Sequence, residues 1–284
     1  MINRIKTYFL LGILTVILVF IGGFFGKSGL ITALIFAFFL NWISYFFSDK
    51  IVLTMYRARE VKENEEPYLH SIVSELSHAA EIPKPKIYII NSSTPNAFAT
   101  GRSPNNAVIA LTTGIIEFLE EKELKGVIAH ELTHIKDRDI LVATIAATIA
   151  GAITFLARML QYMAFFGSMD SDDRKNGNIF GLIAILLFAI LAPIAALIVQ
   201  LAISRSREYL ADEGGAKICR NPLYLANALR KLAYGVKRYP MTTANPATSH
   251  LFIVSPFSGK TILTLFSTHP PIEERIKRLE RMIL

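Results

Sequence analysis

Two histidines four residues apart, with a glutamate between them, are the residues of this chain best suited to chemistry. In the segment His130-Glu131-Leu132-Thr133-His134, an α-helix places both imidazoles on one face, one turn apart. Two imidazoles placed in this way can bind one Zn²⁺ ion at about 2.0–2.1 Å. Glu131 then lies beside the metal, where its carboxylate can take a proton from an attacking water. The motif therefore predicts a metal-dependent peptide hydrolase with one zinc ion per chain.

A catalytic zinc needs a third protein ligand, and Glu208 is the candidate. Uncharged runs cover residues 140–157 and 176–204, and an antiparallel pair of helices would bring their outer ends to one surface. His134 precedes the first run by about 9 Å of helix, and Glu208 follows the second run by about 6 Å. Asp212, one helical turn after Glu208, is placed to accept the second ring N–H of a zinc-binding histidine. The alternative is that Glu208 and Asp212 form a solvated helix face with neighbouring arginines.

This 284-residue chain is strongly apolar, and its apolar residues are concentrated in long uncharged runs. Hydrophobic residues make up 52% and charged residues 19%, a composition too apolar for an ordinary soluble domain. The runs cover residues 7–26, 28–48, 140–157 and 176–204, and runs of about 20 residues can cross a bilayer as helices. We predict four transmembrane helices, with a membrane-embedded hairpin as the alternative for the last two.

Basic residues flank these runs and set the predicted orientation. Arginines and lysines precede the first and third runs and follow the second and fourth, so both termini and the long polar segments are expected in the cytoplasm. The predicted location is the cell membrane, with the catalytic domain on its cytoplasmic face. A membrane surface also explains the net charge of +7, and because the sequence has no nucleic-acid motif, nucleic acid is not an expected partner. The single cysteine, Cys219, excludes an intrachain disulfide.

Two polar segments, residues 49–139 and 205–284, are predicted to form the two parts of one catalytic domain. A helix starting near Glu121 carries the histidine motif. Apolar periodicity predicts further elements, namely helices at 67–82, 222–237 and 271–282 and strands at 86–90, 96–101 and 107–112. Residues 1–48 supply two membrane helices and 140–204 a membrane hairpin. The predicted fold class is therefore α+β, mainly helical, with a small β-sheet in a zincin-like domain.

The order of these motifs resembles that of the HtpX-type membrane zinc metalloproteases, a group of the gluzincins. His130-Glu131-x-x-His134 is followed, beyond a membrane hairpin, by Glu208-x-x-x-Asp212. In such enzymes two histidines and a glutamate bind the zinc, which implies His130, His134 and Glu208 as ligands and Glu131 as the base. The resemblance also implies endoproteolysis of misfolded or damaged membrane proteins at the cytoplasmic face, as part of membrane protein quality control.

Two further segments belong to the resemblance. Asn96-Ala97-Phe98-Ala99 is similar to the edge strand that flanks the substrate in the family, and such a strand pairs with the backbone of an extended substrate. His269 stands before two prolines, where related enzymes place a histidine that stabilises the oxyanion or occupies the open zinc position. The alternative is that His269 only precedes the last helix.

Three other functions compete with this interpretation. A prenyl-peptide processing protease shares the zinc motif, but the enzymes of that kind carry more membrane helices around a chamber than the four predicted here. A transporter or channel is disfavoured because the predicted spans carry almost no ionisable residue. A catalytically silent membrane scaffold is disfavoured by the intact motif. The expected partners are therefore unfolded or membrane protein substrates and the lipid bilayer.

Overall fold

The structure is a computed structural model that describes residues 2–23, 26–151, 153, 197–198, 204–241, 245–255 and 270–283. Its helices are α1 Ile2–Gly23, α2 Gly26–Met55, α3 Pro67–Ala80, α4 Thr113–Phe118, α5 Glu121–Lys136, α6 Ile140–Gly151, α7 Arg205–Cys219, α8 Pro222–Arg238 and α9 Ile272–Glu280. Its strands are β1 Arg59–Glu60, β2 Lys86–Ile90, β3 Ala97–Gly101 and β4 Ala107–Thr112. The helices and strands predicted for the two polar segments are confirmed to within a few residues.

The first two predicted spans lie in α1 and α2, which pack against each other as a hairpin. A hydrogen bond of 2.8 Å from the Asn41 amide to the Thr15 hydroxyl joins the two helices within their apolar part. Within the described residues, α2 is the one helix that is both long and apolar enough to cross a membrane. It continues beyond the predicted boundary at residue 48 because Val52 and Leu53, near its end, are buried in the catalytic part of the molecule.

The third predicted span, residues 140–157, begins as α6. Its buried residues Ile145 and Ile149 pack against Leu10 and Leu14 of α1. The fourth predicted span, 176–204, lies outside the described residues except at positions 197–198 and 204. The α+β, mainly helical class is confirmed, whereas the count of four membrane helices remains a prediction.

A four-stranded mixed sheet supports the site, in the order β1-β2-β4-β3. Strands β2 and β4 are parallel, and β1 and β3 are antiparallel to their neighbours. Ala97 lies opposite Leu111 and Gly101 lies opposite Ala107, so β3 is an edge strand of this sheet. The predicted edge position of this strand is therefore confirmed.

Helix α5 is the central helix of the catalytic part and packs against α3, α7, α8 and the sheet. A capping box begins it, in which the Glu120 N–H donates to the Glu123 carboxylate at 2.9 Å. Glycines allow the neighbouring helices to approach closely. A Cβ at Gly126 would lie 2.6 Å from the backbone N of Leu225, and one at Gly215 would lie 2.9 Å from the backbone N of His130. The second contact brings α7 directly against the histidine motif.

Candidate metal centre and active site

Three side chains from α5 and α7 point their ligand atoms at one position. The Nε2 atoms of His130 and His134 lie 3.2 Å apart. Glu208 places Oε1 3.5 Å from Nε2 of His134 and Oε2 4.0 Å from Nε2 of His130. Two nitrogens bound to one tetrahedral zinc at about 2.0–2.1 Å lie about 3.3 Å apart. The donor set and its spacing therefore fit one metal ion.

Glu131 is a buried carboxylate beside these three ligands, only 2% exposed. Burial and, less strongly, the nearby Glu208 raise its pKa to about 7, against the opposing effect of His134. The backbone N–H of Ala99 on β3 favours the charged form of this carboxylate and lowers its pKa. Glu131 therefore lies close to the edge strand of the sheet and is suited to accept and return a proton near neutral pH.

His130 is oriented by a carboxylate and an arginine that are both buried. Its Nδ1 lies 3.0 Å from Oδ1 of Asp212. Arg275 of α9 binds the same carboxylate with two hydrogen bonds, Nε to Oδ2 at 2.9 Å and Nη2 to Oδ1 at 2.6 Å. Burial lowers the pKa of His130 to about 4, which leaves its imidazole neutral and able to bind a metal. Burial disfavours the charged form of Asp212, but the charge of Arg275 and the hydrogen bonds from His130 and Arg275 together outweigh burial and lower the pKa of this carboxyl.

His134 is oriented by a second carboxylate, Asp139, which lies in the connection between α5 and α6. Its Nδ1 lies 3.5 Å from Oδ2 of Asp139, and Arg207 of α7 forms an ion pair with the same carboxylate. This pair lies beside the beginning of α6. The histidine motif is therefore supported on two sides by carboxylate–arginine pairs.

Arg275, like Asp139, is a residue of the site that the sequence does not single out. It is 0% exposed, donates to the carbonyl oxygen of Ile253 at 3.0 Å, and places Nη1 3.7 Å from Oε2 of Glu208. Burial disfavours its charge, but Asp212 and then Glu208 raise its pKa, so it stays charged. The spacing in the sequence indicates this burial, because Arg275 lies four residues before the buried Leu279 and so on the same inward face of α9.

A cavity of about 50 Å³ lies in front of the metal ligands. It can hold a few water molecules but not a length of polypeptide. Its walls are formed by His130, Glu131 and His134 of the motif, by Glu208, by Ala99, Asp139, Ile140, Ala143 and Arg207, and by His250, Leu251, Phe252 and Ile253. The last four belong to residues 246–254, which we call the strap, a loop to which the sequence analysis assigned nothing.

The strap is fixed over the cavity by Tyr56, which directly follows α2, and by Phe98 of β3. Phe252 is 0% exposed, and its ring centroid lies 5.1 Å from that of Tyr56 and 5.2 Å from that of Phe98. The Tyr56 hydroxyl forms a hydrogen bond with the hydroxyl of Thr248. The Nε2 atom of His250 lies 3.1 Å from the carbonyl oxygen of Ala143 in α6. The strap therefore links the end of the apolar helix α2 to the active site.

Part of the predicted substrate-binding strand is paired with the strap. The N–H of Ile253 donates to the carbonyl oxygen of Ala97 at 3.0 Å, and the Asn96 amide donates to the carbonyl oxygen of Val254 at 2.8 Å. Asn96, Ala97 and Phe98 thus contact the strap. Of the four predicted substrate-binding residues, Ala99 is the one that lines the cavity. The other predicted catalytic residue, His269, lies outside the described residues.

Sequence comparisons give relatives that match nearly the whole chain. Residues 63–283 match the model of peptidase family M48. A protein named Protease HtpX homolog from Thermodesulfovibrio yellowstonii is 56% identical over 281 residues, covering 99% of this chain and 98% of the relative. Proteins of the same name from Aquifex aeolicus and Pyrococcus furiosus are 56% and 52% identical, covering 93% and 99% of this chain and 87% and 96% of the relatives.

A solved structure shares the fold. The crystal structure of Ste24p from S. mikatae is similar with a TM-score of 0.51 at 19% sequence identity. The likeness covers 98% of this chain, which spans 65% of the length of the Ste24p chain. The match of residues 63–283 and the full-length relatives agree with the metal-binding geometry. The chain belongs to peptidase family M48, among the HtpX proteases, and is a metalloprotease.

Proposed function

We propose that this metalloprotease is a zinc endopeptidase in which His130, His134 and Glu208 bind the metal and Glu131 is the general base. The observation that carries the proposal is that one ligand atom from each of the three lies within 4.8 Å of the other two. Two imidazoles and one carboxylate are a donor set of catalytic zinc, which keeps one coordination position open. Asp212 and Asp139 then orient the two histidines through their second ring nitrogens.

Glu131 performs the proton transfer in this proposal. When bound, the zinc would polarise the scissile carbonyl and make the attacking water more acidic. Glu131 accepts the proton of that water and returns it to the leaving amine. Burial keeps the pKa of Glu131 high enough for the return step.

The substrate in this proposal is an extended, unfolded segment that pairs with the outer edge of β3 at Ala99. The cavity of about 50 Å³ has room for the attacking water but not for polypeptide, so the substrate segment would lie outside it, along β3. Ile140 and Ala143 of α6 line the same cavity, so the cleft opens beside a predicted membrane helix. This position favours misfolded or damaged membrane proteins as substrates, and we place the enzyme in membrane protein quality control.

We further propose that the chain crosses the membrane several times, with its catalytic part in the cytoplasm. Large apolar side chains along α2 are exposed, among them Leu34 at 51% and Phe38 at 66%, which fits contact with lipid. Cysteines introduced separately at Lys62 and Asp172, in a Cys219→Ser background, test the orientation in intact cells. Asp172→Cys should react with an impermeant thiol reagent, and Lys62→Cys should react only after lysis. The opposite pattern would place the active site outside.

Cleavage assays on protein purified in detergent test the proposed activity. We expect the wild type to cut casein and an unfolded membrane protein, and a chelator or the Glu131→Gln change to stop both. The prenyl-peptide alternative predicts that a prenylated peptide is cut much faster than its unprenylated form. Equal rates on those two peptides, together with casein cleavage, support the endopeptidase. Cleavage that persists in Glu131→Gln protein would contradict it.

A further inference from the structure

A second cavity, of about 880 Å³, lies between the membrane helices and the catalytic part. Its walls come from the beginning of α1, the last third of α2, the β3–β4 connection and the α5–α6 connection. Among the described residues, its lining and that of the metal-site cavity have no member in common. The second cavity is therefore a separate feature of the molecule.

Aromatic side chains form the membrane side of this cavity. Tyr8 of α1 and Tyr45 and Phe46 of α2 line it, and Tyr8 and Phe46 are 64% and 41% exposed. The apolar sequence of α2 ends just beyond them, at Asp49-Lys50. Tyrosine and other aromatic residues concentrate at the depth of the lipid headgroups. The cavity thus lies at the headgroup level of the predicted membrane.

Two guanidinium groups lie on the catalytic side of the cavity. Arg102 comes from the β3–β4 connection and Arg138 from the α5–α6 connection, and both are exposed. The Arg102 guanidinium lies over the ring of Phe46, 5.8 Å from its centroid. One carboxylate, Asp137, also lines the cavity, so its described charged groups sum to a positive charge. Guanidinium groups bind phosphate oxygens with paired hydrogen bonds.

We propose that this cavity binds the headgroup of an anionic phospholipid. Arg102 and Arg138 contact the phosphate, and the acyl chains leave along Tyr8, Tyr45 and Phe46 towards the exposed surface of α1 and α2. A basic pocket at the cytoplasmic ends of membrane helices is a recurring site for anionic headgroups. The bound lipid would join the helical hairpin to the catalytic part. The inference rests on the proposed membrane placement but not on the proposed proteolysis.

Lipid binding can be measured on the full chain by native mass spectrometry in detergent. Glu131→Gln protein serves as the background, so that the proposed proteolytic activity cannot degrade the protein during the measurement. Phosphatidylglycerol, phosphatidylcholine and inorganic phosphate are added separately, and inorganic phosphate is also added together with phosphatidylglycerol as a competitor. We expect phosphatidylglycerol to bind well above phosphatidylcholine, and inorganic phosphate to compete only weakly. Equal binding of the two lipids, or binding of inorganic phosphate alone, would overturn the proposal.

Charge-removing variants locate the site. Each arginine near an anionic surface contributes about a fivefold change in binding, so Arg102→Gln with Arg138→Gln should weaken phosphatidylglycerol binding roughly 30-fold. Arg220→Gln is the matched control, since Arg220 is also exposed at a helix end with left-handed backbone, φ 53° against 59° for Arg138. Binding that survives in the double variant, or falls equally in the control, would contradict the site. The same double variant with Glu131 intact should cleave casein at the wild-type rate. A loss of lipid binding with unchanged cleavage is then distinct from a failure of the proposed proteolytic activity.

Discussion

His130 and His134 lie one turn apart on α5 and face the same point, but their surroundings differ. The His130 side chain is 1% exposed and its carboxylate partner Asp212 is bound by the fully buried Arg275. The His134 side chain is 16% exposed, and its partner Asp139 lies next to α6. One half of the site is thus anchored in the protein core, and the other half lies where the chain enters a predicted membrane helix.

The comparison shows that the same arrangement, a histidine beside a carboxylate that also binds an arginine, has two different physical roles. Both histidines pair with a carboxylate that also binds an arginine, and both arrangements fix the ring and its tautomer. In the core, removing the carboxylate leaves a buried charge without its partner, so the fold itself depends on the pair. Near the surface, water can replace the lost carboxylate. We therefore expect its removal to weaken metal binding more than it destabilises the fold.

Asp212→Ala is expected to have the largest effect on stability. It leaves the guanidinium of Arg275 buried without its two hydrogen bonds, which costs about 3–5 kcal/mol of the free energy of unfolding. Denaturant unfolding in detergent measures the loss. The matched control is Glu280→Ala, which removes the partner of the exposed Arg230 and should cost less than about 1 kcal/mol. Similar losses in the two variants would remove the distinction between core and surface pairs.

Asp139→Asn is expected to act on the metal more than on the fold. His134 loses a carboxylate acceptor, and such a change weakens metal binding by about 10–100-fold. Competition with a chelator of known affinity measures it. The neighbouring Asp137→Asn change is the control, since Asp137 does not line the metal-site cavity within the described residues. Unaltered zinc affinity in Asp139→Asn protein would show that Asp139 does not orient the ring.

Tyr56→Phe is expected to have the smallest effect, confined to the strap. It removes the hydroxyl that bonds Thr248 and keeps the ring against Phe252, at a cost of about 1 kcal/mol. Amide exchange at Ile253 should become faster in this variant. Tyr88→Phe, which loses a surface hydrogen bond to Glu60, is the control and should leave exchange there unchanged. Identical exchange in both variants would mean that Tyr56 does not hold the strap.

The parts of the site that follow helical spacing could be predicted from sequence. His130 and His134 share a face because they lie four apart, and Glu208 and Asp212 were placed by the same spacing and by the expected hairpin. The strap could not be predicted in this way, because its position depends on tertiary contacts with Tyr56, Phe98 and Asn96 and not on any periodicity of its own sequence.

Arg275 and the strand β3 show why some residues were missed or assigned too broadly. The inward face of a helix such as α9 is expected to be apolar, so an arginine at this position is unexpected from sequence. Its burial is explained by the ion pair with the buried Asp212, which the sequence does not show. The resemblance implies an edge strand at 96–99, and β3 is an edge strand of the sheet. Sequence could not show that its first part is paired with Ile253 and Val254, because that pairing joins segments far apart in the chain.

The most direct test of the account is metal content measured beside peptide cleavage in two glutamate variants. Glu131→Gln should keep one zinc per chain and lose cleavage of casein, because it removes the base and leaves all three ligands. Glu208→Ala should lose both the zinc and the cleavage, because two histidines alone do not complete the site. One zinc per chain in Glu208→Ala protein, or cleavage by Glu131→Gln protein, would contradict the assignment of these two carboxylates.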